Sequence, residues 1–311
     1  MKNLNSKNKQ YIKVWDFQNK KLEISPTGKE ISFNSAQKNF IEKNWKDKRK
    51  KGWADSWIAT IKKINFSNKR IKISSNAIKF SQVNGWLQSI ENNLRKFPEI
   101  VPSISIGIFP VTSDGFLIFA RRNLKELHAP GVWNIPGGYM NSLLVAGKEN
   151  CSDTKYKKDK KVFDIKIQAE LRVHKQEFYG LSKKEIKFSK PFALALGTYH
   201  SHEYEIALIG RLKKTKSEMK KHIRRWEFVK GLREHIEVKF VEIKDLEKLL
   251  EKQIKLYKKD QIKCKSKKEI FILDDNIGEL LGGGYEKISG KKLDKNIVEK
   301  LKEKLKIEVV E

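Results

Sequence analysis

Apolar and polar residues change period several times along this chain, and each change marks an element. Residues 11–15 and 30–33 alternate with a period of two and predict short strands, separated by the turn signal Ser25-Pro26-Thr27-Gly28. Ser35 is placed to cap a helix carrying Phe40, Ile41 and Trp45 on one face, which the basic run 46–51 and Gly52 end. Residues 57–66 and 70–74 read as a hairpin closed by Ser67-Asn68-Lys69. Val83, Trp86, Leu87, Ile90 and Leu94 then recur at helical spacing until Lys96-Phe97-Pro98 breaks the pattern. A second series opens with the continuous apolar run 104–109, suited to a buried strand, and residues 116–119 pair back onto it across Ser113-Asp114-Gly115. Further strands are expected at 193–196, 198–210 and 234–241, a basic helix-like connector at 213–225, a surface helix at 245–259, and a C-terminal helix with Ile297, Leu301 and Leu305 on its edge. This order predicts an α/β protein: a small α+β N-terminal domain over residues 1–98, then an α/β sandwich with a mixed sheet over 99–311, ending in a helical extension. Tryptophans 15, 45, 53, 57 and 86 give the first domain apolar mass for a core of its own; a base-stacking platform is the sharper alternative.

Between these series lies the stretch with the most chemistry. Trp133-Asn134-Ile135-Pro136-Gly137-Gly138 makes a turn that side chains cannot obstruct, so its backbone can come close to a ligand or another segment. After a lysine-rich interruption at 143–163, too polar to build a core and expected as a loop, residues 167–179 read as a helix closed by Gly180-Leu181. At about 100° per residue, Glu170, His174 and Glu177 fall within roughly 60° of one another, beside an apolar stripe of Ile167, Leu171 and Phe178. Two carboxylates and an imidazole on one face are either a solvated edge or the wall of a site.

A strand ending in Trp-x-x-Pro-Gly-Gly, followed by an acidic helix ending in Gly-Leu, resembles the Nudix family, whose box reads G-x5-E-x7-R-E-U-x-E-E-x-G-U with U apolar. The flanks are similar to that family too: the hairpin at 101–122 with Arg121-Arg122 at its end, and the strand at 234–241 before Asp245-Leu246. The resemblance covers residues 101–253. It departs from the pattern inside the box, because Gly138 and Gly180 stand 42 positions apart where the box has 21, an insertion of 21 residues. The first box Glu falls on Leu144. Counted back from Gly180, the Arg and the acids fall on Val173, His174, Glu177 and Phe178; with the Arg set on Arg172, they fall on Val173, Gln176 and Glu177. Both alignments keep Glu177 alone.

The resemblance implies attack of water on a pyrophosphate bond of a nucleoside diphosphate linked to another group, a nucleotide sugar among them, with Mg²⁺, or Mn²⁺ in its place, held on carboxylates. It implies Glu177 and Glu170 as catalytic and metal-holding residues. Glu203 and Glu205, on one face of the strand at 198–210, are expected to complete the metal site. Arg121, Arg122, Gly137 and Gly138 are expected to bind the substrate's phosphates, the arginines through their bidentate fork; a solvent-facing strand end is the alternative for them. A module that kept the fold and lost the chemistry explains the broken box equally. His200-Ser201-His202-Glu203 lacks the spacing of a zinc site, and His174 is read as no zinc ligand, since its helix neighbours are acids and no cysteine is close in sequence. Gly282-Gly283-Gly284, after Leu280-Leu281, lacks the Lys-Ser/Thr that a P-loop needs.

Composition adds a third class. A net charge of +29 attracts polyanions, so a nucleic-acid-associated protein stays open. The cations are 57 Lys against 10 Arg, an excess spread through every segment and unlike an arginine-rich reader of bases, so binding to nucleic acid is expected to be weak and without sequence preference. No apolar run of about 18 residues spans a bilayer and residues 1–6 hold no signal-like segment, so a cytoplasmic protein with no membrane partner is expected. Cys151 and Cys264 make no disulfide framework.

Overall fold

The computed structural model describes residues 12–17, 20–50, 55–91, 103–123, 131–140, 165–172, 181–197, 203–230, 235–256, 270, 272 and 274–310. In chain order, β1 (Ile12–Asp16) and β2 (Lys21–Glu30) precede α1 (Ser35–Lys50), β3 (Trp57–Phe66), β4 (Arg70–Lys79) and α2 (Phe80–Glu91). There follow β5 (Ile104–Val111), β6 (Phe116–Arg122), β7 (Trp133–Asn134), β8 (Gly137–Tyr139), α3 (Ile165–Arg172), β9 (Ile186–Phe188), β10 (Ala193–Gly197) and β11 (Tyr204–Leu212). The chain ends with α4 (Lys216–Lys230), β12 (His235–Glu242), α5 (Leu246–Leu256), α6 (Asp274–Glu279), α7 (Tyr285–Ser289), α8 (Lys295–Leu305) and β13 (Ile307–Val310). The chain forms two compact units: Met1–Gln18 with Ile106–Gly138 and Ala169–Glu311, and Asn19–Ser105 with Tyr139–Gln168.

The first unit is an α/β/α sandwich on a mixed sheet ordered β12-β6-β5-β11-β10-β1-β13, with β7 on β6, β8 on β5 and β9 on β11. Every residue of β5 is buried, and so are five consecutive residues of β11, the signature of strands covered on both faces. One face of β11 presents Ala207 and Ile209 to a core that also holds Ile12, Val14, Phe109, Trp133, Phe192, Ile277, Leu280 and Leu301; the other buries Ile206 and Leu208. β1 pairs antiparallel with β10 and parallel with β13, so this strand from the start of the chain belongs to the large sheet. Ile12 and Val14, alternating and fully buried, account for that placement. α8 is capped by Asp294, which accepts from the Asn296 and Ile297 amides, an interaction worth about 1 kcal/mol.

The second unit has a three-stranded sheet, β2-β4-β3, with α1 and α2. Phe33, Ile41, Ile58, Ile78, Val83, Trp86 and Leu87 form a core there. α1 is capped reciprocally by Asn34 and Gln37, each side chain accepting from the other's amide, so the cap sits one residue before the Ser35 that sequence suggested.

The structure corrects three other expectations. Ser25-Pro26-Thr27-Gly28 is no turn between strands but part of β2, with an irregularity between Pro26 and Glu30 and Gly28 at φ +78°. β2 is an edge strand, where a proline removes no needed ladder donor. Strand β11 begins at Tyr204 and runs to Leu212, and β9 and β13 were not foreseen, being three and four residues long. The interruption at 143–163 and the helical half from Val173 to Gly180 lie outside the described residues. Among the described residues no helix is long and apolar enough to cross a membrane.

Candidate functional site

The segment from Trp133 to Gly138 is held from several sides within the first unit. Trp133 and Asn134 pair with Arg121 and Ala120 of β6. The Ile108 amide donates to the Pro136 carbonyl at 2.9 Å, and the Ile135 amide to Asn276 Oδ1 at 3.1 Å. At Gly137 a Cβ would overlap the Ile106 carbonyl oxygen, so only glycine allows this backbone to lie so close to β5. What sequence read as a turn is therefore a bend at Pro136 running into β8.

Arg121 is 5% exposed, its Nε donating to the Gly131 carbonyl at 3.0 Å and its Nη1 3.6 Å from Glu237 of β12. It ties Gly131, just before β7, to the sheet. Arg122, alternating with it on β6, is half-buried. Gly137 and Gly138 are both half-buried.

α3 buries Ile165, Gln168 and Ala169 and carries Glu170 at its C-terminal end. The Glu170 carboxylate, 16% exposed, receives Lys183 Nζ at 2.7 Å. Glu177 and His174 lie outside the described residues.

Glu205 goes elsewhere than sequence suggested. Its Oε1 accepts from Asn276 Nδ2 at 3.0 Å, and the same amide reaches Glu279 Oε2 at 3.4 Å. Glu279 is fully buried, Asn276 1% exposed and Asp275 3% exposed. Space for these groups comes from two glycines of the sheet: a Cβ at Gly107 would strike the Glu205 carboxylate, and one at Gly197 the Asp275 carboxylate. Glu279 Oε1 has no hydrogen-bond partner. Burial, then the nearby carboxylates of Glu205 and Asp275, push the Glu279 carboxyl well above the ordinary carboxylate range. Protonated, it can donate to Glu205, and the cluster is then a polar network under an apolar sheet.

Sequence reasoning assigned no role to Asp274-Asp275-Asn276. The signal was there: Asp275 and Glu279 stand one helical turn apart in a segment whose neighbours Ile277, Leu280 and Leu281 are apolar, an unusual setting for two acids.

Glu170, Glu203 and Glu205 are not brought together: among the described residues no group of three His, Cys, Asp or Glu is arranged to hold a metal ion. The donors present there do not by themselves fit Mg²⁺. Glu170 is engaged by an ammonium, and Glu205 by an amide and a neighbouring carboxyl.

No family model and no curated protein matches this sequence. Among solved structures, the chain is similar to a MutT protein from Methanosarcina mazei (17% identity, 50% of this chain and 85% of that one, TM-score 0.30). It is similar to the DR0079 protein of Deinococcus radiodurans (11%, 51% and 80%, TM-score 0.31). It is also similar to the Nudix hydrolase RenU from M. smegmatis (14%, 47% and 72%, TM-score 0.27). These scores are too low to carry an argument, and the fold assignment stands on the sheet and helices described above.

Proposed function

We propose that this chain is a Nudix-type hydrolase that cleaves the pyrophosphate bond of a nucleoside diphosphate linked to another group. The observation that carries the reading is the Pro136–Gly138 backbone, laid so close on β5 that Gly137 tolerates no side chain, followed in the chain by an apolar-backed helix that presents Glu170. A glycine backbone followed in the chain by a helix that carries a carboxylate would suit a phosphate chain and the cation that accompanies it. In this reading water attacks one phosphorus, the bridging P–O bond breaks, and the oxygen leaves with the other phosphate. Arg122 meets phosphate oxygens, and Gly137 and Gly138 let the phosphates approach. Glu170 and Glu177 would be the acids that hold a divalent ion, which would neutralise charge building on the phosphates.

The test is release of nucleoside monophosphate from a panel of nucleotide conjugates, nucleotide sugars included, with and without Mg²⁺ or Mn²⁺. Metal-dependent release from at least one conjugate is expected, with Glu177→Gln lowering turnover by on the order of 10²-fold, since even groups behind the ligands of a metal site contribute 10- to 100-fold. Full activity in Glu177→Gln would place the chemistry elsewhere.

One observation favours a second reading. With Lys183 at 2.7 Å, Glu170 already has a cation, as in a fold that binds nucleotide without turnover. That module shows a rise in melting temperature with nucleotide and no release of nucleoside monophosphate from any conjugate.

A further inference from the structure

The three-stranded sheet of the second unit has two unlike faces. Across β2, β4 and β3, Leu22, Ile71 and Phe66 share one face, as do Ile24, Ile73 and Ile64; Ile24, Ile71 and Ile73 are fully buried. The opposite face carries Lys21 beside Arg70, Glu23 beside Lys72 beside Asn65, and Ser25 beside Ser74 beside Lys63. Lys21, Lys63, Asn65, Arg70 and Lys72 are all exposed.

Lysines on edge strands normally only block edge-to-edge pairing. That explains Lys21 and Lys63. It does not explain Arg70 and Lys72, which lie on the central strand β4, flanked on both sides. Nor does it explain why Lys21 and Arg70 stand directly opposite, since like charges facing one another across strands oppose pairing. Glu23, 3.1 Å from Lys21 and 3.7 Å from Arg70, is the one acid among the eight residues that share this half of the face, against four cations. A sheet that tolerates such crowding carries a surface complementary to closely spaced anions. Neighbouring strands about 4.8 Å apart and same-face residues about 6.7 Å apart set these cations on a flat lattice. A chain with one negative charge per nucleotide can follow such a lattice and meet several cations at once. The described residues of this half-face include no aromatic or large aliphatic side chain to insert into a bilayer or to stack on bases.

We propose that the face formed by Lys21, Lys63, Arg70 and Lys72 is a docking surface for the phosphate backbone of single-stranded nucleic acid, bound without sequence preference. It is independent of the hydrolase reading, since none of these residues belongs to the segments invoked there.

The experiment measures binding of the full-length protein to fluorescein-labelled 20-nucleotide oligo(U) and oligo(dT) by anisotropy, between 25 and 200 mM salt. The face variant is Lys63→Thr with Arg70→Thr and Lys72→Thr. The control removes three exposed cations from α1 (Lys38→Gln, Lys43→Gln, Lys46→Gln), the same net charge. Circular dichroism and melting temperature check folding; if the triple face variant misfolds, Lys63→Thr with Lys72→Thr replaces it. For wild type we expect similar affinity for both oligomers. In the face variant, affinity falls at least tenfold at the lowest salt, and the slope of log K against log salt shrinks by about 0.7 for each phosphate no longer neutralised, roughly 2 for three. The control should weaken binding less than threefold. Equal losses in face and control variants overturn the proposal, because net charge alone would then explain binding. So does absence of binding by wild type at 25 mM salt. Binding to phosphatidylserine-containing vesicles, but not to the oligomers, that is abolished in the face variant also overturns it, and assigns the face to a membrane surface.

Discussion

Replacing Glu279 by glutamine should make the protein more stable and flatten its pH dependence. The residue is fully buried, its Oε1 has no hydrogen-bond partner, and Glu205 and Asp275 crowd it. Its folded-state pKa is raised, so folding takes up a proton here. Below about pH 4.5 both folded and unfolded chains hold that proton and its contribution is fully present. As pH rises the unfolded chain loses it while the folded chain keeps it, and stability falls by about 1.4 kcal/mol per pH unit until the folded group itself ionises. Glutamine keeps the shape and the acceptor for Asn276, adds an N–H for Glu205, and has no proton to lose. The variant should therefore be the more stable of the two above about pH 4.5, by a margin that grows with pH.

Urea denaturation of both proteins at half-unit steps from pH 4.5 to 8.5 measures this, read as the difference in unfolding free energy. Surface groups away from the cluster are the same in both proteins and cancel to first order. The expected difference is small at pH 4.5 and grows with pH. A constant difference across that range, or a variant less stable at pH 8 than at pH 5 relative to wild type, would refute a proton held on Glu279.

Other outcomes follow from the same geometry. Gly137→Ala forces a methyl against the Ile106 carbonyl oxygen and should cost about 1–3 kcal/mol, seen as a lower melting temperature with altered β-sheet circular dichroism. Arg121→Lys removes the Nε donor to the Gly131 carbonyl and should cost about 1.5–3 kcal/mol; an unchanged melting temperature would return Arg121 to the surface. Glu185, held at a pKa of about 2 mainly by Lys214, lends stability above about pH 4.5 that is lost as pH falls toward 2; Glu185→Gln should remove that acid-limb slope, by less than about 1 kcal/mol because the pair is partly solvated. Lys183→Met should change stability by less than about 1 kcal/mol, since the lysine is 65% exposed, and should raise rather than lower any Mg²⁺-dependent turnover by releasing Glu170.

How far sequence carried depended on whether a residue's partners were near it in the chain. The hairpin β5–β6, helix α1 and the glycines after Pro136 were legible because their signals are local: a continuous apolar run before Asp-Gly, an apolar face at helical spacing, two glycines after a proline. Register across distant strands was not. Glu205 was assigned a face by alternation, but what stands on that face, Asn276 and Glu279, is 71 or more positions away, and the room for its carboxylate is made by Gly107 in another strand. Arg121 read equally well as a phosphate clamp and as a strand end; its burial against Gly131 and Glu237 of β12 depends on segments that alternation along β6 does not show. Pro26 and Gly28 spelled a turn because the edge position of β2, which makes both harmless, is a property of the sheet and not of the segment.

One side chain joins the two polar features of the first unit. Asn276 accepts from the Ile135 amide through Oδ1 and donates through Nδ2 to Glu205 and Glu279. Its amide can satisfy both sides only in this orientation, since a flipped group would set oxygen against two carboxyls and nitrogen against a backbone donor. The backbone one residue before Pro136 is thus fixed by a group whose other hand rests on the buried acids. If Glu279 ionised, both acids would pull on Nδ2 while repelling each other, and the least costly response is separation of α6 from β11, which draws Oδ1 away from Ile135. A proton retained on Glu279 therefore keeps in place not only a buried cluster but the start of the Pro136–Gly138 segment. Loosening of that segment at high pH should then appear first in hydrogen exchange at the Ile135 amide, before global unfolding.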